Sequence, residues 1–474
     1  MVLPDEYAGQ VERVCASRLN FDQLDRYYRG EQSLSFWRES RSSRRRSMVV
    51  NLPRLIVDAL EDRLDVEGFR FPGSDTADER LWQWWQDNSM DVWSQQAHLH
   101  ALIHGRSFVL VGEQDGEPVI TVESASQVYV ELDSRRRVKS AIKVWSEGDR
   151  GYATHYGYDW TSQWWATEAA SGGMSTGLWR QRAEPIPNIL GRPAVVPFIN
   201  RPDLHRPLGE SEMIDVIPVA DGINELATDM LETAEYHAAP RRWATGIDLG
   251  DSDSEAERTT EKMRQRWEEA HSSKVWATDS ASARFGQFPE ASLSNFIESI
   301  NLLTGLAAAL GSVPPHFLGV NADNPASADA IRAAESSLLQ KARRKQRVFG
   351  EAWEDVQRLV LEVVDGEIPD GARRIETIWR DASTPTVAQA ADAAVKLTQA
   401  GVIDSFQAQE DLGYTPVQIE RMAERRGDAA LGPVRAQLDE AARLQREDNL
   451  SKQAAYAAVG LLQAAQAIGQ PPAP

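Results

Sequence analysis

The sequence predicts an α+β fold, mainly α, with an antiparallel β-meander confined to the N-terminal 205 residues. Three patterns predict it. Apolar residues recur at helical spacing before residue 105 and again from residue 209 onward. From Ser107 to Trp165 the period changes to two, in short runs separated by Gly- and Asp-containing turns. Between Ile331 and Leu359 every seventh residue falls on one face, which marks a single long helix.

The first helix covers residues 5–30, with Val11, Val14, Leu19 and Leu24 as apolar contacts and Gly30 as its stop. Asn51 caps a second helix over about 52–66, and Pro53 fits its first turn. Leu52, Leu55, Ile56, Ala59, Leu60 and Leu64 form the buried face of that helix. A third helix spans about 75–104 and ends at Gly105. The meander places strands at 108–111, 119–122, 128–132, 138–145, 152–158 and 164–165, and a Pro-rich stretch leads into an extended Val195–Asn200. Helical spacing resumes over 209–238, but Pro218 removes the bond to the carbonyl of Ile214 and predicts a kink or break. Residues 240–290 form an excursion with a helix at 255–270 and a strand at 274–277. Leu293, Phe296, Ile297, Ile300, Leu303, Ala307 and Leu310 restore a helical face over 291–311. In the long helix, about 326–364, one row is Ile331, Leu338, Lys345, Ala352 and Leu359, so Lys345 is its one charged member. Ala342, Phe349, Val356 and Val363 form the second row. A strand at 375–379, helices at 386–400 and 404–412, another from near Thr415 and an Ala/Gln/Glu-rich helical segment over 428–468 complete the chain.

The 474 residues suggest about three domains or one large folded unit. With 42% apolar and 26% charged residues the chain has the balance of a globular protein rather than a disordered one. There are 51 Lys+Arg against 71 Asp+Glu, a net charge of −20. That balance argues against tight nucleic-acid binding, which draws on a basic face, and against a seat on anionic lipid. No apolar run is long enough to predict a membrane span, and the N-terminus lacks the basic and apolar regions of a secretory signal. Cys15 is the only cysteine, so an intrachain disulfide or a cysteine metal cluster is not possible.

No strong catalytic motif is present: no phosphate loop, no G-x-S-x-G, no H-E-x-x-H. Of His98, His100 and His104, only His100 and His104 share a helix face, and zinc would need a third ligand; structural histidines are the favoured reading. Asp248, Asp251, Asp253 and Glu255 could hold a hard cation. Read from Asp251, however, the calcium-loop pattern fails, with Ala256 in place of Gly and Lys262 in place of Glu, so a solvated acidic loop is favoured. Eight of the fifteen Trp cluster at Trp82, Trp84, Trp85, Trp93, Trp160, Trp164, Trp165 and Trp179, and packing in a core or subunit interface is favoured over base stacking. Two basic runs oppose the acidic total: Arg38–Arg46, and Lys341, Arg343, Arg344, Lys345 and Arg347 wrapped around the long helix. Solvated charge is the first reading of the second run, an intersubunit salt-bridge belt the second, and DNA-phosphate contact the third. No cofactor is expected.

Several phrases, in order, resemble the Gp6-like portal proteins of tailed bacteriophages. They are Tyr27-Tyr28-Arg29-Gly30, Val50-Asn51-Leu52-Pro53, Arg63–Arg70, Gly191–Asn200 followed by Gly209-Glu-Ser-Glu-Met, Val313-Pro314-Pro315 with Asn324–Ala330, and Trp379–Pro385. The resemblance implies a portal fold with wing, helical stem, clip and helical crown, assembled as a ring of usually twelve subunits at one capsid vertex. It implies a wing from residues 1–205 and 326–410, stem helices at 206–239 and 291–311, a clip at 240–290, a tunnel loop at 312–325 and a crown at 411–474. His316, Asn321, Asp323 and Asn324 then face the channel, and Ile217, Ile223, Met230, Phe296 and Ile300 pack the stem. Two stem helices alone cannot bury both apolar stripes, so neighbouring subunits are the natural cover.

The implied partners are further copies of the chain, the terminase large subunit, head-completion and tail-adaptor proteins, major capsid and scaffolding proteins, and double-stranded DNA passing through; no membrane is involved. The implied location is the virion, with the host cytoplasm during assembly. Twelve copies would carry a charge of about −240, suited to a channel that repels phosphate instead of gripping it. The competing readings are another phage structural protein, capsid or tail, and a metal-dependent nucleic-acid enzyme built on the acidic clusters.

Overall fold

The computed structural model describes residues 3–33, 48–73, 77–166, 179–238, 242–245, 284–287, 292–319, 328–383 and 387–414, with 419, 421–423 and 425. The chain divides into two compact units, 1–382 and 383–474.

In the first unit, α1 (Asp5–Arg29) ends on Gly30 in the left-handed region, as the sequence predicts. α2 (Leu52–Glu61) starts from Asn51, whose side chain accepts from the Arg54 N–H. It stops five residues short of the expected end, because Val66–Arg70 is a strand, β1. Leu55 also departs from expectation and faces solvent. The expected single helix over 75–104 is two: α3 (Glu79–Asp87), capped by the Asp78 carboxylate, and α4 (Met90–His104). The break sits at Ser89, whose φ of 54° is left-handed and cannot continue a helix.

β2 (Arg106–Gln114) and β3 (Glu117–Ser124) form a hairpin on Asp115-Gly116, both with positive φ, the geometry of a tight two-residue turn. β4 (Val128–Leu132), β5 (Val138–Glu147), β6 (Arg150–Tyr156), β7 (Trp160–Ala166), β8 (Arg180–Gln181) and β9 (Ile186–Pro187) make a six-stranded antiparallel sheet. β10 (Val195–Ile199) leaves this meander and pairs with β2, giving the order β10-β2-β3.

α5 (Ile217–Ala238) begins at Ile217, so Pro218 occupies the first turn, where no helical N–H is lost; of the kink or break expected at Pro218 the structure has a break, residues 209–216 standing outside the helix. Of the 240–290 excursion, β11 (Arg242–Thr245) pairs with β12 (Arg284–Gln287), a hairpin base the sequence pattern did not reveal. The helix expected at 255–270 and the strand at 274–277 lie outside the described residues. α6 (Ser294–Gly311) and a short 3-10 turn at Pro315–Leu318 lead toward α7 (Ala328–Asp365), the long helix. β13 (Glu376–Trp379) then pairs antiparallel with β1, joining segments about three hundred residues apart. The second unit contains α8 (Val387–Gln399) and α9 (Ser405–Asp411); the helical segment expected at 428–468 lies outside the described residues.

The main core lies where α2, α4 and α7 meet the β10-β2-β3 sheet. From Leu338 to Leu359 both predicted rows of α7 are buried, with Leu338, Ala342, Phe349, Val356 and Leu359 facing inward. An aromatic column runs through the centre: Phe69 on Trp85 at 5.3 Å, Trp85 on Trp353 at 4.8 Å, and Trp353 on Phe198 at 4.5 Å. Trp84, Trp85, Trp164 and Trp179 are core residues, whereas Trp93 and Trp160 face solvent.

A second cluster forms where α1 crosses the six-stranded sheet, with Val11 and Val14 against Ile142, Val144 and Trp164. Tyr7 stacks on His155 there at 3.8 Å. His98 is enclosed in the main core, where its Nε2 accepts from Trp353 Nε1 at 2.8 Å. Burial pushes His155 down to about 4 and His98 down to about 3. Both are therefore neutral in the folded chain across the range where the unfolded chain takes up protons, so their stability contribution is full above about pH 6.5 and shrinks as pH falls. Burial pushes the carboxyls of Glu61 and Glu354 up to about 7, and these act in the opposite sense. Comparison with a variant isolates the histidine. His155→Phe should gain about 3 kcal/mol relative to the parent between pH 7 and pH 4, measured by urea unfolding at each pH. A parallel pair of profiles would show that His155 does not titrate differently in the two states.

Candidate functional site: an apolar helix pair on a buried ion-pair hub

α5 and α6 pack against each other, with Gly222 of α5 beside Leu303 of α6. α6 carries a single charged residue, Glu298, in eighteen. One of its faces turns to the protein: Thr304, Ala307, Ala308 and Gly311 are buried, and Ile300 and Leu303 pack on the main core. Ile223 of α5 is fully buried and Ile217 packs on the same core, while Met230 and Phe296 are half-buried. The opposite face of α6 is apolar and open. Leu302 is 74% exposed, Leu306 47% and Leu310 42%, four residues apart in turn and so aligned along one side. Ile297 is 51% exposed. The stripe expected for α6 therefore divides: Ile300, Leu303 and Ala307 cover its own chain, and Leu310 belongs to the open side.

The base of this pair is fastened by charge. Glu212, just before α5, is buried, and its two carboxylate oxygens receive Lys341 at 2.6 Å and Lys345 at 2.7 Å from α7. Lys345 also donates to Asn200 Oδ1, and Asn200 Nδ2 donates to Glu212 at 3.1 Å and to the Glu210 carbonyl at 2.9 Å. Lys341 further donates to the carbonyl of Gly311 at 2.9 Å, reaching the last turn of α6. Burial works to raise the Glu212 pKa, but Lys345 and Lys341 outweigh it and hold the group at about 2. The backbone around the hub leaves no room for side chains. A Cβ on Gly209 would stand 2.2 Å from the Asn200 carbonyl oxygen, and one on Gly105 would stand 2.6 Å from the Glu210 backbone.

The solvated belt expected on the long helix is thereby corrected. Lys345 is 5% exposed and Lys341 half-buried, both spent inside the chain, because a lysine in an apolar row stays charged only beside an acid. Arg343, Arg344 and Arg347 remain exposed, with Arg343 3.5 Å from Asp381. Sequence reasoning missed Glu212 and Asn200 as partners; the signal was Lys345 itself, the charged member of an apolar row.

The other ordered phrases are fastenings too. Tyr27 donates to Asp221 of α5 at 2.9 Å, Tyr28 to Asp58 at 2.7 Å, and the Val50 N–H to Asn224 Oδ1 at 2.7 Å. Arg380 spans Asp65 at 2.8 Å and Glu67 at 3.2 Å beside the β1–β13 ribbon. His316 is exposed, its ring edge-on to Phe317 at 4.9 Å. Asn321, Asp323 and Asn324, the acidic set Asp248, Asp251, Asp253 and Glu255, and the run Arg38–Arg46 lie outside the described residues. His104 Nε2 sits 3.0 Å from Asp25, which ties α4 to α1.

The chain matches a family model described as phage portal protein, SPP1 Gp6-like, over residues 16–409. It is 36% identical to the portal protein of Mycobacterium phage D29 and 37% identical to that of Mycobacterium phage L5, each over 403 residues, 81% of this chain and 80% of the relative. No helix among the described residues is long and apolar enough to cross a membrane. With the match spanning the core, the hub and the helix pair alike, the chain belongs to the SPP1 Gp6-like family of phage portal proteins, structural head-tail connectors of the virion.

Proposed function

We propose that twelve copies of this chain close into a ring at one capsid vertex, a conduit without catalysis through which double-stranded DNA is packaged and later ejected. The open apolar side of α6 carries this reading: a helix with one charge in eighteen residues and leucines exposed on the side away from its own core calls for a neighbouring copy as cover. On this reading α5 and α6 are the stem and residues 240–290 the clip. Residues 312–325 form the tunnel loop, residues 1–205 and 326–410 the wing, and residues 411–474 the crown. The β1–β13 ribbon supports a wing assembled from segments before and after the stem. The terminase large subunit, tail adaptors, and capsid and scaffolding proteins are the proposed partners, met in the host cytoplasm during assembly. The net charge of −20 per copy supports a channel wall that lets a polyanion slide.

Rotationally averaged electron micrographs of the purified protein test the reading. Rings of twelve with a central hole are expected; compact monomers alone at high concentration would overturn it, and shells or fibres would select a different structural component. Deleting residues 321–323 should leave rings intact and lower the yield of DNA-filled heads. A normal yield would reject the tunnel-loop assignment.

A further inference from the structure

The six-stranded sheet has two unlike faces. Val144, Ala153 and Trp164 on one face pack beneath α1. The register aligns Trp145, Tyr152, Trp165 and Arg180 as a row across four strands on the other. At one end this second face joins the main core through Ala141 and Tyr156. At the end with the row, Trp145, Tyr152 and Trp165 are half-exposed, and Arg150, Arg180 and Arg182 are exposed.

The row is a layered cation–aromatic surface. Trp145 and Tyr152 stack at 5.5 Å. Arg182 lies over Tyr152 at 5.7 Å, and Arg150 and Arg180 lie over Trp165 at 5.5 and 6.0 Å. A guanidinium held near a ring by cation–π attraction keeps its N–H donors for a further partner. Elsewhere on this sheet Arg137, Lys139 and Lys143 each have a carboxylate within 3.4 Å, whereas the side chains of Arg135 and Arg136 in the β4–β5 turn have neither a carboxylate nor a ring among the described residues. Among the described residues, Arg150, Arg180 and Arg182 have a ring and no carboxylate.

We propose that this face docks a short acidic segment of a partner protein, its carboxylates on Arg150, Arg180 and Arg182 and an apolar or aromatic side chain on the Trp145–Tyr152–Trp165 row. Charge complementarity selects an acidic ligand, and the residue types are those that dominate protein–protein hot spots, Trp, Tyr and Arg. A nucleic acid is the weaker fit. It would need a broad basic field to release counterions, and this chain carries a net −20. The proposal stands on the geometry of the sheet and does not require ring assembly.

The test uses the full-length protein and a fluorescein-labelled peptide, Gly-Glu-Phe-Glu-Glu-Phe-Glu-Gly, followed by fluorescence anisotropy. The same peptide with Gln for Glu and a labelled oligo(dT) are the comparators. The acidic peptide should bind, and Arg150→Gln with Arg180→Gln should weaken it about tenfold. A charge-matched control, Arg135→Gln with Arg136→Gln on the exposed turn before β5, should leave affinity unchanged. Both pairs lie at exposed positions, and thermal unfolding of each variant verifies the fold. No binding of the acidic peptide, equal weakening by both pairs, or undiminished binding of the Gln peptide would overturn the proposal. Tighter binding of oligo(dT) with the same residue dependence would replace it with a nucleic-acid surface.

Discussion

Replacing Leu302 and Leu306 by Asp will leave a folded protomer that no longer closes into a ring. Both side chains stand on the open side of α6, Leu302 74% and Leu306 47% exposed, so the isolated protomer loses little packing. In a ring each leucine would return about 1.5–3 kcal/mol on burial, and an aspartate in its place carries a further desolvation cost. The same loss recurs at every subunit boundary, which makes closure the most sensitive quantity to measure. Light scattering and electron microscopy should show protomers in place of rings, with a thermal unfolding midpoint lowered far less than by Ile300→Asp. Ile300→Asp is the informative contrast, because Ile300 packs on its own core and its loss should destabilise the protomer itself. Undiminished ring yield from the double leucine variant would show that another face closes the ring.

Glu212→Ala should cost about 3–5 kcal/mol in urea unfolding. It leaves the buried Lys345 ammonium and the half-buried Lys341 ammonium without their shared carboxylate, and removes one of the two acceptors of the Asn200 amide. Lys345→Met should cost less, because Lys341 still pairs with Glu212 at 2.6 Å and the replacement suits the apolar row around position 345. A loss below about 1 kcal/mol for Glu212→Ala would show that water reaches the hub.

The repeat that marked α7 was plain in the sequence because its rows face one core, and a hairpin turn was plain within Gly112–Gly116, though its strands run on to Gln114 and from Glu117 and leave only Asp115-Gly116, both at positive φ, as the turn. The family phrases were also legible, as a set in order. Their work was not. Asn51 was legible as a cap, but Tyr27, Gly209 and Arg380 act through partners remote in the chain, and no local pattern names such partners. The same reason hid β1. Val66–Arg70 continues a helical-looking run, and only pairing with β13 makes it a strand. Ser89 hid the break between α3 and α4, since apolar spacing on both sides reads as continuous. The helix pair was half legible: the apolar content of α6 was evident, but which side of it belongs to its own core depends on where α2 and α7 stand.

The ribbon between β1 and β13 sets a clock on biosynthesis. Arg70 and Glu376, which bond across it, are 306 positions apart. A ribosome needs about 15–60 s to travel that distance, at some 5–20 residues per second. Throughout that interval Phe69 and the base of α2 wait for a strand that has not been made, and closing so long a loop is itself slow. An unfinished or truncated chain therefore presents an open edge and an incomplete core. Only a copy synthesised through Trp379 can close that edge.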